Sequence, residues 1–172
     1  VNVHANNDEA LRIACKRGHF EVVKLLIELG ANVNAVDKFS YNYSTPLHYA
    51  CYRRNFEVVK LLLEHGANVH AMNDEALSDV GSDADVYFEL IKLLLEHGAN
   101  VHVNNDEALR CACRWGHLEI VKFLLERGAD VHAKDDEALQ NACADFRVKK
   151  RSNEYIKIVK LLLRHGADVQ AN

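Results

Sequence analysis

The sequence predicts an all-α repeat protein, a solenoid of helix–turn–helix units joined by β-turn fingers. Three observations predict it. The block Leu25-Leu26-Ile27-Glu28-Leu29-Gly30-Ala31-Asn32-Val33 returns at Leu61–Val69, Leu93–Val101, Phe123–Val131 and Leu161–Val169. Its marker glycines, Gly30, Gly66, Gly98, Gly128 and Gly166, are spaced 36, 32, 30 and 38 residues apart, and self-similarity near this period marks stacked supersecondary units. A second recurring block precedes the first. It reads Glu9-Ala10-Leu11-Arg12-Ile13-Ala14-Cys15, then Gly18-His19-Phe20-Glu21-Val22-Val23-Lys24.

Taken in order, each unit opens on an acidic pair, Asp8-Glu9 and its copies. Such a pair is expected to supply a cap and negative charge at the start of the first helix. The first helix stops at the Gly-His turn. The second carries an apolar stripe, Val22, Val23, Leu25, Leu26 and Leu29, with Glu21, Lys24 and Glu28 on the wet face. The Glu-Lys-Glu spacing recurs at Glu57/Lys60/Glu64, Glu89/Lys92/Glu96 and Glu119/Lys122/Glu126, and contributes about 0.2–0.5 kcal/mol per pair. Gly30 and its equivalents stand where a helix ends in a left-handed residue. One such unit cannot bury its apolar faces alone, so neighbours must stack.

The fullest form of the first block is Thr45-Pro46-Leu47-His48-Tyr49-Ala50-Cys51. With this T-P-L-H start, the G-H turn and the G-A-N-V-N-A finish, the chain resembles the ankyrin repeat over essentially its whole length. The resemblance implies one ankyrin-repeat domain over 1–172, with a partial repeat at 1–5 and repeats at 6–35, 36–71, 72–103, 104–133 and 134–171. In four of the five repeats the finger is three residues short and D-E-A-L replaces T-P-L, a variant similar to the long arrays encoded by giant viruses of protists. Repeat 2 instead has a long finger, Val36 to Ser44. Insertions enlarge the turn between helices by two residues in repeat 3 and by eight in repeat 5, within 144–155.

The formal net charge is −4. From Lys134 onward there are eight Lys/Arg against six Asp/Glu, and before it 13 against 19, so a basic end follows an acidic body. No apolar run approaches the ~20 residues that span a bilayer, and no signal-peptide pattern opens the chain. A start at Val1 and an ordinary apolar stripe in repeat 1, where a polar capping face is the norm, lead to the expectation of a piece of a longer protein. Repeat 5 has partial cap character in Lys157, Lys160 and Arg164.

Ten histidines and five cysteines invite a metal site, but each histidine has a repeat slot. Cys15, Cys51, Cys113 and Cys143 share one slot, expected to pack between helices, and Cys111 is the extra one. Equivalent cysteines stand a repeat or more apart, about 10 Å per packed helix, beyond the ~7 Å between Cα atoms that a disulfide spans. Neither C-x-x-C nor H-E-x-x-H occurs. Reduced structural thiols are expected, and with them an intracellular, cytoplasmic or nuclear, setting. With no G-x-S-x-G, glycine-rich phosphate loop or Walker lysine, the expectation is no enzyme, no cofactor and no metal.

The resemblance implies a protein-interaction module that meets its partner through finger tips and the solvent side of the first helices. The residues before the G-H turn are those packing does not dictate: Lys16-Arg17, Tyr52-Arg53, Ser82-Asp83, Arg114-Trp115 and Ala144-Asp145. Tyr, Trp and Arg dominate interface hot spots, so Tyr52, Arg53 and Trp115 are the anchor candidates, supported by Lys16, Arg17, Arg54 and Arg114. Equally, Trp115 packs on the next repeat and the charges are solvated surface. Phe39, Tyr41 and Tyr43 of the long finger are a second candidate, either an exposed aromatic loop or a cover for repeats 1 or 3. The run Arg147–Arg151 is a third, and an ordinary solvated surface is its simpler reading. Acidic Asp79, Asp83 and Asp85 between basic neighbours favour a protein partner over nucleic acid. No membrane association is expected, and the segment is expected to be monomeric. The alternative function is a structural spacer or adaptor arm of a larger protein. The family resemblance also implies hydroxylation by an asparagine hydroxylase at the finger asparagine, which only Asn34 matches.

Overall fold

The structure, a computed structural model, describes residues 2–38, 44–71, 84–144 and 152–168. Among these residues every regular element is a helix: α1 (Glu9–Arg17), α2 (Phe20–Glu28), α3 (Pro46–Tyr52), α4 (Phe56–Glu64), α5 (Ala84–Glu96), α6 (Val103–Trp115), α7 (Leu118–Glu126), α8 (Ala133–Ala144) and α9 (Ser152–Arg164). The chain divides into two compact units, Val1–Ala76 with Glu89–Ala99, and Leu77–Phe88 with Asn100–Asn172.

In the first unit α1 packs on α2 and α3 on α4, while α1 meets α3 and α2 meets α4. Leu11, Val23, Leu47, Val58, Val59 and Leu62 form its fully buried centre. Pro46 opens α3, and Thr45 closes a capping box. The Thr45 hydroxyl accepts the His48 N–H at 3.4 Å and donates to His48 Nδ1 at 2.8 Å. In the second unit α6 packs on α7 and α8, and α9 on both of these. Its centre holds Leu109, Ile120, Leu124, Ile158 and Leu162, with Phe88 edge-on to Phe123 at 5.6 Å between ring centroids.

The second helices end as the glycines require. The Gly30 N–H reaches the Ile27 carbonyl and the Ala31 N–H the Leu26 carbonyl, both at 2.9 Å, with Gly30 left-handed at φ 88°. The pattern recurs at Gly66, Gly98, Gly128 and Gly166. A β-turn follows Gly30. Ala35 N–H donates to the Asn32 carbonyl at 3.0 Å and Asn34 N–H to Asn32 Oδ1 at 2.9 Å. Asn68, Asn100 and Asp130 head the same turn in later repeats.

The short finger has a backbone of its own. Asn6, Asn7 and Asp8 are all left-handed, φ 52°, 58° and 55°, as are Asn104, Asn105 and Asp106 inside the opening of α6 and Lys134, Asp135 and Asp136 inside that of α8. Three consecutive left-handed residues thus open each of these short-finger repeats. Asn and Asp tolerate that conformation best after glycine.

Three expectations need correction. Asp8 does not cap α1: its side chain makes no bond to that helix. A cap needs an extended backbone to aim its oxygen at the N2 or N3 N–H, and φ 55°, ψ 38° directs it elsewhere. Second, the stripe on α2 is not a buried face. Val23 is buried, but Val22, Leu25 and Leu29 are exposed. Val22 is 48% exposed, whereas its equivalent in α4, Val58, which has α2 before it, is 0%. Third, Cys15, Cys51 and Cys113 are buried but Cys143 is exposed. The first helix of repeat 1, α1, has its neighbour α3 on the following side, whereas α8 has α6 on the preceding side.

Candidate interaction surface

The ends of α1 and α3 are built alike. Gly18 N–H returns to the Cys15 carbonyl at 3.1 Å and His19 N–H to the Ala14 carbonyl at 3.0 Å. Arg54 and Asn55 do the same to Cys51 and Ala50, at 2.8 and 3.0 Å. Arg54 thus occupies the glycine position of the turn, left-handed at φ 56°. Asn55 accepts the Val58 N–H at 3.2 Å, capping α4, and donates to the Gly18 carbonyl at 3.2 Å. That bond sets the two turns side by side and brings Lys16, Arg17, Tyr52, Arg53 and Arg54 to one edge of the first unit. All five are exposed, Tyr52 by 72%. Lys16 Nζ lies 5.4 Å from the centroid of the Tyr49 ring, a cation–π distance.

Beside this edge lies a network that sequence reasoning missed. The buried Arg12 donates from Nε and Nη2 to the carbonyls of Asn7 and Asn6, at 3.2 and 3.1 Å, and from Nη1 to Asp37 Oδ2 at 2.6 Å. The Tyr49 hydroxyl donates to the same Asp37 oxygen at 2.8 Å. Glu9, Arg12, Ile13, Lys16, Asp37 and Tyr49 line a cleft of about 180 Å³. That is below the ~300–1,000 Å³ of small-molecule sites and suits a single side chain.

The second unit repeats the theme with different charges. Arg110 donates to the carbonyls of Asn104 and Asn105 at 3.0 Å each, and to Glu137 at 2.8 Å. Arg114, exposed, lies 3.7 Å from the same Glu137. Trp115 is 40% exposed. The buried Tyr155 donates its hydroxyl to the Arg114 carbonyl at 2.8 Å. Its ring lies so close to Gly116 that a Cβ there would stand 3.0 Å away.

The corrected aspartates join one finger to the next. Asp8 Oδ1 accepts the Asn32 N–H at 2.9 Å, Asp106 the Asp130 N–H at 2.9 Å, and Asp136 the Asp168 N–H at 3.0 Å. All three carboxylates are buried, and each also accepts from a histidine one turn earlier, His4, His102 and His132, at 3.0, 3.1 and 3.3 Å. Where the long finger follows, Asn34 at the end of repeat 1 has that duty. It accepts the Asn68 N–H at 2.7 Å and donates to the Gly66 carbonyl at 3.0 Å.

This architecture can be set against known proteins. The sequence model described as ankyrin repeats (3 copies) matches residues 1–73 and 84–135, more than half of the chain. The chain belongs to the ankyrin-repeat family. Over 37 residues, 22% of the chain, it is 46% identical to an ankyrin repeat protein of Acanthamoeba polyphaga mimivirus; the match spans 11% of that protein's length. It is also similar to the crystal structure of an ankyrin repeat domain from Acinetobacter baumannii AYE. There the TM-score is 0.76 and the identity 27%, over 94% of this chain and 83% of the other.

Of the residues that the ankyrin pattern nominated for contact, the structure gathers Lys16, Arg17, Tyr52, Arg53 and Arg54 in the first unit, and Arg114 with Trp115 in the second. Phe39, Tyr41 and Tyr43, Ser82-Asp83, Asp145 and the run 147–151 lie outside the described residues, as do Asp79 and the Asp85 side chain. Asn34 is exposed. The signal that marked Arg12 and Arg110 was the extension of D-E-A-L to D-E-A-L-R in repeats 1 and 4. Burial pushes the Cys15 and Cys51 thiols up to about 12, and raises Cys113 and, with help from Glu107, Cys111. Among the described residues no group of three His, Cys, Asp or Glu is placed to hold a metal ion. No described helix is long and apolar enough to cross a membrane.

Proposed function

We propose that this chain is a protein-recognition module whose contact residues are the exposed helix-end side chains, Lys16, Arg17, Tyr52, Arg53 and Arg54 in one unit, and Arg114 and Trp115 in the other. Ankyrin repeats are in general protein-interaction modules. The observation that carries the reading is Tyr52, a large aromatic ring 72% exposed on a backbone fixed by the Gly18–Asn55 bond. Packing does not require that ring, and solvent does not favour it. Presentation on rigid helices keeps the ordering cost of binding small. Phe39, Tyr41 and Tyr43 extend the candidate surface, and Asn34 is the residue for hydroxylation. Its test is the mass of the intact protein after incubation with an asparagine hydroxylase.

Affinity capture from an extract of the native host tests the module. The baits are the whole chain and two variants, Tyr52→Ala/Arg53→Ala and Arg114→Ala/Trp115→Ala, each first matched to the parent in helicity and melting. A protein held by the parent and lost from one variant supports the reading and locates the surface, since an anchor is worth about 2 kcal/mol or more. Identical recoveries from all three favour the spacer or adaptor arm instead.

A further inference from the structure

We propose that the edge formed by the ends of α1 and α3 takes an acidic, carboxylate-rich segment of a partner protein, seated around Tyr52. This rests on the recognition-module reading and narrows it to one partner chemistry. Four cationic side chains, Lys16, Arg17, Arg53 and Arg54, stand on two adjacent turns joined by the Asn55–Gly18 bond. Among the described residues no carboxylate pairs with Lys16, Arg17 or Arg53.

The second unit explains why this is unusual. At the matching register Arg110 and Arg114 share Glu137, at 2.8 and 3.7 Å. Glu137 is the glutamate of D-E-A-L, and its counterpart in repeat 2 is Thr45 of T-P-L-H. Thr45 is buried and committed to the α3 cap. The exchange of one finger type for the other therefore leaves no carboxylate at that position for Lys16, the counterpart of Arg114. Asp37, in the adjoining cleft, is taken by Arg12 and Tyr49. Basic residues in the last turn of a helix also answer the helix dipole, which accounts for a cation at each end but not for an exposed tyrosine between them.

The shape of the charge favours a peptide over nucleic acid. The adjoining cleft carries Glu9 and Asp37, which repel a continuous phosphate backbone. A peptide can place its carboxylates over the cations and an uncharged side chain over Tyr52. Pairing across such a surface mainly sets on-rate and specificity and fades with salt.

Fluorescence anisotropy of the full chain with a labelled peptide of alternating Asp and Glu tests this, with single-stranded DNA of equal charge as the rival probe. Lys16→Glu/Arg17→Glu/Arg53→Glu reverses the edge. Lys24→Glu/Lys60→Glu reverses exposed charges on α2 and α4 and serves as the control. If the triple reversal melts early, Lys16→Gln/Arg53→Gln replaces it. The expected result is salt-sensitive peptide binding that weakens by about tenfold or more on edge reversal and changes less than about twofold in the control. Absence of binding, equal loss in both variants, or tighter binding of the DNA would overturn the proposal. A partner captured from extract that ignores the edge reversal would overturn it too, while leaving the recognition module intact.

Discussion

Arg54 holds a conformation that its neighbours in the repeat pattern assign to glycine. Gly18 and Gly116 sit at φ 72° in the same turn, and Arg54 sits at φ 56° with a full side chain. A left-handed L-residue costs about 1–2 kcal/mol relative to the right-handed basin, part of which glycine returns as unfolded-state entropy. Arg54→Gly is expected to raise stability by up to about 1 kcal/mol, read as a higher urea midpoint at unchanged m-value; a lower midpoint would show that the side chain contributes more than its backbone costs. His48 carries a pH dependence. Burial holds its imidazole below the usual 6.5, with the backbone of Ala71 opposing. Above about pH 6.5 the folded and unfolded chains are both neutral there. As pH falls through 6.5 the unfolded chain takes up a proton that the folded one resists, so stability is lost on the acid side. The drop in melting temperature between about pH 7 and about pH 5 is expected to be smaller in His48→Gln than in the parent.

The short finger is the element that distinguishes this chain. Its three left-handed residues gain support from a guanidinium on the helix they precede, Arg12 or Arg110, and its aspartate reaches forward to the next finger. Asp106→Ala strands the Asp130 N–H and is expected to cost about 1–3 kcal/mol. Asp106→Asn keeps an acceptor oxygen and should cost less. Equal losses in chemical denaturation would mean the carboxylate acts by charge and not as an acceptor. Part of this element was legible. The glycine ends and the two-helix unit follow from local rules that hold wherever those residues stand. The role of Asp8 did not follow, because Asp-Glu before an apolar run is also the pattern of a helix cap. Only the backbone angles of Asn6-Asn7-Asp8 decide between them. The asparagines were a hint that Lys134, in the fourth copy, does not share.

At the scale of the whole molecule, periodicity reports which residues can be buried, not whether a neighbour is there to bury them. Val22, Val23, Leu25 and Leu29 read as one stripe, yet of the residues of α2 Val23 alone is buried, whereas α4 buries Val58, Val59, Leu62 and Leu63 from nearly the same sequence. Amides of α2 are therefore expected to exchange with solvent faster than those of α4 in this chain, because local opening exposes less apolar surface there; matched protection factors would refute that. The same limit applied to the proposed contact residues. Their positions were legible as those packing leaves free, but the missing carboxylate at Thr45 became visible only when two finger types could be superposed by role. The aspartate-to-main-chain link between fingers has a further consequence. Its acceptor and its donor stand at the two ends of one repeat, Asp8 with Asn32, Asp106 with Asp130 and Asp136 with Asp168, and the donor is a peptide N–H that every residue except proline possesses. A repeat of this kind that is duplicated or moved therefore carries this bond complete within itself, whatever residue types stand beside it.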